Sequence, residues 1–376
     1  MSLLGTYTST GEKMFAHQEA MTNLRNGKGQ CIVSHVMLTD VCQHTCAFCS
    51  VQARAGDSLV FDDVMAYLDI LRRYGLKAVI LSGGGNPILY KCKNSGKNFN
   101  DVVDEVHQRG LEIGLITNGM QLRKFGDRNS WVTVRPSTLD KLTWVRISMA
   151  GLDHDEQEVY VPDIDPTKTT LGFSYVAHDI YEEPADPHHG KVSTRPDILS
   201  GNRDRAPTRC FEERIGELVG AIRGYVKKYS PRYVRLLPNC LEPDLIGRRC
   251  GTLSVMAREI DPDVAFVQYK PPAAPKVCLL GAVHPVLNCD GYVFPCDSCV
   301  LNESAGHAFS NPWRICHWSE IAKLYDNELP RSLIDDPSKL CPGCVFTKSN
   351  EILLGVRNGT IDPVPPTETP THVNFI

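Results

Sequence analysis

Three cysteines lie within eight residues, in the segment CQHTCAFC at positions 42–49. Thiols at this spacing can all turn toward one object from a single tight loop. A [4Fe–4S] cluster is normally held by four thiolates, so three protein ligands would leave one iron open to another molecule. A zinc site would need four ligands, usually from paired Cys-x2-Cys units. The spacing therefore favours an iron–sulfur cluster over a zinc knuckle.

The Cys-x3-Cys-x2-Cys spacing, with the aromatic Phe48 directly before the last cysteine, resembles the signature loop of the radical S-adenosylmethionine (SAM) superfamily. In that family the amino and carboxylate groups of SAM chelate the open iron. The resemblance implies that Cys42, Cys46 and Cys49, here termed the core cysteines, are metal ligands at a catalytic centre. It also implies that Phe48 lies beside the cofactor.

A second feature typical of this family is the glycine-rich segment SGGGNP at 82–87. Many radical SAM enzymes carry Gly-Gly-Glu-Pro here and hold the SAM amino group largely through backbone oxygens. Gly84, Gly85 and Pro87 match that pattern, and glycine permits the close approach it requires. Asn86 replaces the acidic residue, which leaves the backbone contacts possible but removes one charge facing the SAM ammonium. By resemblance, Gly84, Gly85 and Asn86 are expected to contact SAM.

Polar residues also end several predicted strands. By resemblance, the candidates for contacts with the SAM carboxylate and ribose hydroxyls are Thr117, Asn118 and Ser148. Capping of the turns that follow is an alternative role for each of them. Arg146 points to the same side as Ser148 by strand alternation. Arg235 and Asn239, on a later strand, are positioned to reach either SAM or substrate.

A second cysteine constellation lies near the end of the chain. Cys278 is followed by Gly291 and, with four residues between, by Cys296. This resembles the opening of the SPASM/twitch auxiliary-cluster domain. A full SPASM domain would continue with further cysteines, and none follows Cys344, so the resemblance implies one auxiliary [4Fe–4S] cluster. Its expected ligands, here termed the C-terminal cysteine set, are Cys278, Cys296, Cys341 and Cys344. Cys289 and Cys299 are rival ligands, and structural zinc is the alternative metal.

The elements that must position these residues follow from the pattern of apolar runs. The run at 31–39 predicts a buried strand that ends at the core cysteines. Further strands are predicted at 77–81, 112–116, 144–149, 170–176 and 233–237, and helices at 8–25, 62–74, 100–109 and about 212–228. Six strands alternating with helices predict right-handed βαβ units and a parallel sheet. The resemblance implies an α/β fold with a partial (β/α)6 barrel.

Length, composition and charge limit the remaining choices. The 376 residues are expected to form a helical lead-in (1–30), a radical SAM partial barrel (31–245), a twitch-like auxiliary domain (246–350) and an extended C-terminal segment (351–376). The net charge of −4 gives no support to a nucleic-acid partner. No signal peptide and no run of 18 apolar residues is present, so we expect no membrane partner. The 15 cysteines indicate metal ligation in a reducing compartment, and we expect a cytoplasmic protein.

Two long connections leave the carboxyl ends of predicted strands, at 151–169 and 178–210. The second is rich in proline, histidine and arginine. That edge of an α/β barrel carries its functional sites. The second connection is therefore expected to be a substrate lid, with an ordinary solvated loop as the alternative.

The resemblance implies a radical SAM enzyme that reductively cleaves SAM, with an external flavodoxin- or ferredoxin-like electron donor. The expected substrate is a small polar, nucleoside or amino-acid-bearing molecule, attacked by the 5′-deoxyadenosyl radical. Dehydrogenation and rearrangement are both compatible with the sequence. The alternatives are a redox-neutral isomerase of an amino-acid-modified thymidine in phage-type DNA hypermodification, a peptide-modifying maturase, and a non-catalytic metal-stabilised binding module.

Overall fold

The structure is a computed structural model of the chain. It describes all residues except 1–2, 9–10, 45, 47, 50, 52–53, 120–133, 154–158, 181–207, 241, 270–272, 298–310 and 342.

Seven parallel strands form the centre of the sheet and follow one another in chain order. They are β1 (Val33–Val36), β2 (Ala78–Leu81), β3 (Glu112–Thr117), β4 (Trp144–Ser148), β5 (Thr170–Ala177), β6 (Tyr233–Pro238) and β7 (Ala265–Val267). Most of their residues are buried, as expected for strands covered on both faces. The six predicted strands correspond to β1–β6. The seventh was not predicted, because three residues are too few to give a recognisable pattern.

The C-terminal part of the chain extends the same sheet beyond β1. Strand β8 (Val286–Leu287) pairs with β1 in parallel, and β9 (Tyr292–Phe294) and β10 (Cys316–His317) follow in antiparallel order. The register places His35 of β1 opposite Val286. The region expected to hold the auxiliary cluster is therefore joined to the barrel through backbone hydrogen bonds. The mixed α/β fold, with its parallel sheet and added C-terminal region, agrees with a partial barrel and an extra domain.

Helices connect the parallel strands and cover the outer face of the sheet. Within the described residues, the α-helices are α1 (Leu3–Tyr7), α2 (Gly11–Met14), α3 (Gln18–Arg25), α4 (Phe61–Arg73), α5 (Phe99–Gln108), α6 (Pro136–Leu139), α7 (Ile215–Tyr229), α8 (Ile246–Ile260), α9 (Ala322–Asp326), α10 (Pro337–Leu340) and α11 (Thr347–Arg357). Helix α4 buries Val64, Leu68 and Leu71 along one side, as predicted. None of the helices in the described ranges is long and apolar enough to cross a membrane.

The predicted single helix at 8–25 is wrong, since α2 and α3 are separate. The chain turns at Ala16 and His17, whose N–H groups bond back to the carbonyls of Lys13 and Met14 at 3.1 and 3.0 Å. The turn allows Met14 and Met21 to enter the same buried cluster from two short helices. The free energy gained by burying both methionine side chains exceeds that of continuing a single helix.

The two faces of the sheet carry different cores. Val79, Val145 and Val234 belong to the cluster beneath the helices, whereas Ala78 and Trp144 belong to a second cluster with the N-terminal helices and the chain end. This alternation follows from the two-residue period of a strand.

The expected extended segment at 351–376 is wrong at both ends, because the residues up to Arg357 belong to α11 and the last residues are buried. Phe375 and Ile376 are 4% and 2% exposed. Phe375 packs edge-on against Trp144, with ring centroids 5.2 Å apart. The residues before Phe375 are mostly polar, so the sequence pattern did not indicate that Phe375 and Ile376 join the buried cluster that contains Trp144.

Candidate functional site

The core cysteines lie on the loop that follows β1, and two polar side chains hold this loop. Asp40 accepts a hydrogen bond from the N–H of Ala55 at 2.6 Å. Arg54 donates to the carbonyl oxygen of His44 at 2.8 Å and to Sγ of Cys49 at 3.3 Å. The sequence analysis missed Arg54, because only the folded loop brings it back to the thiols.

The three thiols act on one another electrostatically. Burial raises the pKa of Cys42, and burial together with the nearby Cys49 and Cys42 raises the pKa of Cys46 well above its usual range. Buried thiols must ionise to bind a metal, so positive charge has to compensate them. The guanidinium of Arg54 supplies part of that charge.

Within the described part of the chain, no group of three or more His, Cys, Asp or Glu side chains is arranged to hold a single metal ion. Three sulfur donors beside one guanidinium fit an iron–sulfur cluster, which takes thiolate ligands and carries several metal ions.

A hydrogen-bonded network joins the core loop to the ends of β2 and β3. Asn86 Nδ2 donates to Gln43 Oε1 at 3.2 Å and to Asn118 Oδ1 at 2.9 Å. Asn86 Oδ1 accepts from the Thr117 hydroxyl at 2.8 Å. Asn118 Nδ2 in turn lies 3.9 Å from Sγ of Cys42. The structure thus brings together three residues that the sequence predicted separately, Asn86, Thr117 and Asn118, and places them against a core cysteine.

The glycine-rich segment packs against the backbone that leads into the core loop. The N–H groups of Gly85 and Asn86 bond to the carbonyls of Thr39 and Val41, both at 2.8 Å. A Cβ at Gly85 would lie 2.0 Å from the Val41 carbonyl oxygen, so no larger residue fits there. Gly84 adopts a φ of +67°, in the left-handed region that favours glycine. These glycines therefore fix the position of the core loop, whatever contacts they make with a cofactor.

Residues 36–158 match the family model of the radical SAM superfamily. The match covers about a third of the chain and includes the core loop, β2, β3 and β4. Over these residues the chain is similar to the radical SAM superfamily.

Three solved structures that are similar to this chain are described below. Streptococcus suis SuiB bound to precursor peptide SuiA is 10% identical, with a TM-score of 0.46 over 83% of this chain and 68% of that one. BtrN in complex with AdoMet and 2-DOIA is 13% identical, with a TM-score of 0.34 over 90% and 93%. Native anSMEcpe with bound AdoMet and Cp18Cys peptide is 13% identical, with a TM-score of 0.36 over 88% and 99%. At these values the likenesses carry no argument for this chain. No curated protein sequence matches it.

A buried polar cluster supports the loop of the core cysteines from the end of β5. Phe48 packs edge-on against His178, with ring centroids 4.7 Å apart. His178 Nε2 lies 3.7 Å from Asp153 Oδ2, and Asp153 also accepts from the Tyr175 hydroxyl at 2.9 Å and pairs with buried Arg214. The contact fixes Phe48, which the sequence placed beside the cofactor. Asp153 and Arg214 gave no sequence signal, because they are 61 residues apart and meet only in the fold.

The remaining predicted contacts lie on the inner face of the sheet. Thr117 is in register with Ile147, so Ser148 lies one residue further toward the strand end. Ser148 and Arg235 are both in register with Ser174 of β5. Strand alternation places Arg146 on the same face as Ser148 and two residues deeper in the barrel.

The C-terminal cysteine set lines one small cavity. Its four thiols share the cavity wall with apolar side chains, and the lining includes Cys278, Cys296, Cys341, Cys344, Leu280, Trp313 and Phe346. Burial and the other three thiols raise the pKa of Cys278 well above its usual range. Trp313 Nε1 donates to Sγ of Cys341 at 3.1 Å. Four thiols that line one apolar enclosure are the ligand type of an iron–sulfur cluster or zinc, although in the described residues they are not arranged around a single metal ion.

Of the rival ligands, Cys289 lies elsewhere. Burial and the carboxylates of Asp40 and Asp290 raise its pKa, which places the thiol beside those carboxylates, and Cys289 is not among the residues that line the cavity. Cys299 lies outside the described residues. The expected substrate lid also falls largely outside them, at 181–207, although its two ends are joined by the N–H of Ile180 and the carbonyl of Arg209 at 3.0 Å.

Proposed function

We propose that this chain is a radical SAM enzyme whose core cysteines hold a [4Fe–4S] cluster with one iron left for SAM. When bound, the cluster and SAM supply a 5′-deoxyadenosyl radical that abstracts hydrogen from an unactivated substrate carbon. The electron comes from an external donor of the flavodoxin or ferredoxin type. The observation that supports this most directly is the Asn86–Asn118–Cys42 network inside the segment that matches the radical SAM family.

The chain's own residues then have separate tasks. Backbone oxygens of the glycine-rich segment would accept from the SAM amino group, and Asn118, Thr117 and Ser148 would contact its carboxylate and ribose. Arg54 holds Cys49 and offsets thiolate charge through its donated hydrogen bond. Phe48, fixed by His178, closes one side of the site. Exclusion of water by this enclosure protects the reactive species.

We further propose that the C-terminal cysteine set holds one auxiliary [4Fe–4S] cluster in a twitch-like domain. Four protein thiols leave no iron open to substrate, so this group serves electron transfer or structure. The shared cavity of the four thiols and the exclusion of Cys289 from it support this ligand set over the rival one.

The substrate class we propose is a small polar, nucleoside or amino-acid-bearing molecule, converted by dehydrogenation or rearrangement. In a dehydrogenation SAM is the oxidant: it is consumed to methionine and 5′-deoxyadenosine, the substrate radical loses one proton and one electron, and that electron can return to a cluster. The product is then two hydrogens lighter than the substrate, whereas the product of an isomerase has the mass of its substrate, so mass spectrometry of the product separates the two reaction types.

The test of the proposal is anaerobic reconstitution followed by reduction with dithionite in the presence of SAM. The wild-type protein is expected to form methionine and 5′-deoxyadenosine. A variant with alanine at all three core cysteines should form neither, while Cys250→Ala, a matched cysteine variant outside both sets, should behave like the wild type. Absence of SAM cleavage in the fully reconstituted wild type would refute the proposal and favour a metal-stabilised binding module.

A further inference from the structure

Two arginines lie on the inner face of the barrel, and neither forms an ion pair with another of the described residues. Arg146 of β4 is 9% exposed, and Arg235 of β6 is partly buried. The strand between them presents Gly172, in register with Arg146, and Ser174, in register with Arg235. The Tyr233 ring lies over Gly172, and the charge of Arg146 acts on Arg235, so the two guanidiniums lie near each other in the barrel interior.

Other buried arginines in this protein pair with carboxylates. Arg214 pairs with Asp153, and Arg249 pairs with Asp179 at 2.9 Å. Within the described residues, Arg146 and Arg235 form no such ion pair. Buried charges of one sign without a partner are costly, so a protein normally keeps them only where another charge completes the site.

Neutral groups hold the two guanidiniums in place. Arg146 Cζ lies 5.5 Å from the Trp144 ring centre, and the Tyr233 hydroxyl is a hydrogen-bond partner of Arg146. Arg235 Nη1 donates to Gln268 Oε1 at 2.7 Å. The Nε atoms of both arginines are buried and have no hydrogen-bond partner. The site is therefore oriented by its neighbours and retains unused donors.

One carboxylate acts on this pair of arginines. Asp297 raises the pKa of both, and its Oδ2 lies 3.8 Å from Nδ1 of His35, whose Nε2 bonds to the Ser82 carbonyl at 2.7 Å. Burial lowers the pKa of both arginines, and the charge of Arg146 lowers that of Arg235 as well, so the two guanidiniums repel each other.

We propose that Arg146 and Arg235 form a subsite that binds a carboxylate of the substrate inside the barrel. The inference rests on the proposed function, because it assumes that a substrate enters this space. Two guanidiniums that form no ion pair with another of the described residues suit an anion, and guanidinium donors match the two oxygens of a carboxylate. The substrate class is thereby narrowed to carboxylate-bearing molecules.

The SAM carboxylate is the rival occupant. Thr117 and Asn118 lie at the end of β3, where Asn118 approaches Cys42. Arg235 is in register with Ser174 and is therefore level with Ser148, whereas Arg146 lies two residues before Ser148 and deeper in the barrel. Arg146 is thus the arginine that distinguishes a substrate anion from the SAM carboxylate.

The experiment uses acetate as the probe and the reconstituted full-length protein. Acetate is titrated against chloride at constant ionic strength and pH, and the unfolding temperature is recorded for wild type, Arg146→Gln, Arg235→Gln and the control Arg72→Gln. Arg72 is an exposed arginine on α4 that pairs with Asp69. Because a ligand stabilises the folded form that binds it, acetate should raise the Tm of wild type and of Arg72→Gln by about 2 °C. The shift should fall to less than a third in Arg146→Gln and Arg235→Gln.

Binding of labelled SAM to the same variants identifies the occupant. The proposal expects SAM affinity within about twofold of wild type in both interior variants. A tenfold loss of SAM affinity, together with competition between acetate and SAM, would assign the site to the cofactor and overturn the proposal. Equal acetate shifts in all four proteins, or none in the wild type, would also overturn it.

If Arg146→Gln does not fold, as judged by circular dichroism and iron content, Arg146→Lys replaces it. Lysine keeps the charge but loses the paired donors, so the acetate shift should be intermediate. Failure of the wild type to cleave SAM would refute the proposed function and the substrate assignment with it. Intact SAM cleavage without an acetate shift would refute the subsite alone.

Discussion

The substitution Asn86→Asp should destabilise the protein. This holds although many enzymes of the radical SAM superfamily, which this segment resembles, carry an acidic residue at the corresponding position. In the structure Asn86 is 2% exposed and uses its amide group in both directions. Its Nδ2 donates to oxygens of Gln43 and Asn118, while its Oδ1 accepts from Thr117. An ionised aspartate at position 86 could still accept from the Thr117 hydroxyl, but it could not donate a hydrogen bond. Its second oxygen would face the side-chain oxygens of Gln43 and Asn118.

The magnitude follows from the two lost donations. Leaving a buried polar group unsatisfied costs about 1–3 kcal/mol, so Asn86→Asp should lower the free energy of unfolding by about 2–5 kcal/mol near pH 8. Burial and the facing oxygens should raise the pKa of the new carboxyl above its unfolded value of about 3.9. The protonated acid regains one donor, so the deficit should shrink as the pH falls and grow as the pH rises through the folded-state pKa.

The assay is urea unfolding of the metal-free protein near pH 8 and near pH 6, followed by circular dichroism. Asn98→Asp is the matched control, because Asn98 caps α5 through its acceptor oxygen, which takes the N–H of Asn100 at 2.9 Å. A carboxylate keeps that bond at a helix N-terminus, so the control should change stability by less than about 0.5 kcal/mol. Equal stability of Asn86→Asp and wild type near pH 8 would refute the role assigned to the Asn86 amide.

Three further predictions concern metal content, redox potential and pH. Reconstituted protein should contain about eight iron per chain, and alanine at all three core cysteines should leave about four; one zinc and four iron would contradict the auxiliary cluster only. Arg54→Gln should lower the reduction potential of the core cluster by tens of millivolts, because the charge-assisted hydrogen bond to Cys49 is lost. Arg54→Lys keeps the charge and should have a smaller effect. An EPR redox titration measures both, and an unchanged potential in Arg54→Gln would contradict the prediction. Burial, then the charge of Lys13, lowers the pKa of His372 to about 4. Below pH 6.5 the unfolded chain therefore binds more protons than the folded one, and the free energy of unfolding should fall by up to about 3 kcal/mol as the pH drops from 6.5 toward 4. In His372→Asn the free energy of unfolding, measured with urea, should depend less on pH over this range. The same pH dependence in variant and wild type would contradict the prediction.

The parallel sheet was predictable because each strand is a short buried run bounded by turn residues. The runs that became β1–β6 carry enough aliphatic residues to stand out, whereas β7 has three residues and depends on pairing with β6. The burial of Phe375 and Ile376 was not predictable in the same way. Their burial depends on Trp144, which lies more than 200 residues earlier in the chain.

The site was predictable where its residues are close in sequence. The core cysteines are local, and the glycine-rich segment is local, so spacing alone identified both. Arg54, His178 and Asp153 contribute through contacts made only in the fold, and a single arginine, histidine or aspartate in a loop carries no pattern. The four thiols of the C-terminal cysteine set were grouped by resemblance, because Cys341 lies 45 residues beyond Cys296 and no local spacing connects them.

Asn86 shows how the fold and the candidate site depend on each other. Its backbone N–H is bonded to the carbonyl of Val41 in the core loop, and its side chain joins that loop to the end of β3. The position of Asn118 beside Cys42 therefore depends on the register of three neighbouring strands, β1, β2 and β3. That register is set by the buried aliphatic residues of the sheet, since a slip of one residue would turn them away from the helices. Packing in the core thus determines the distance between a core cysteine and the residues proposed to contact SAM.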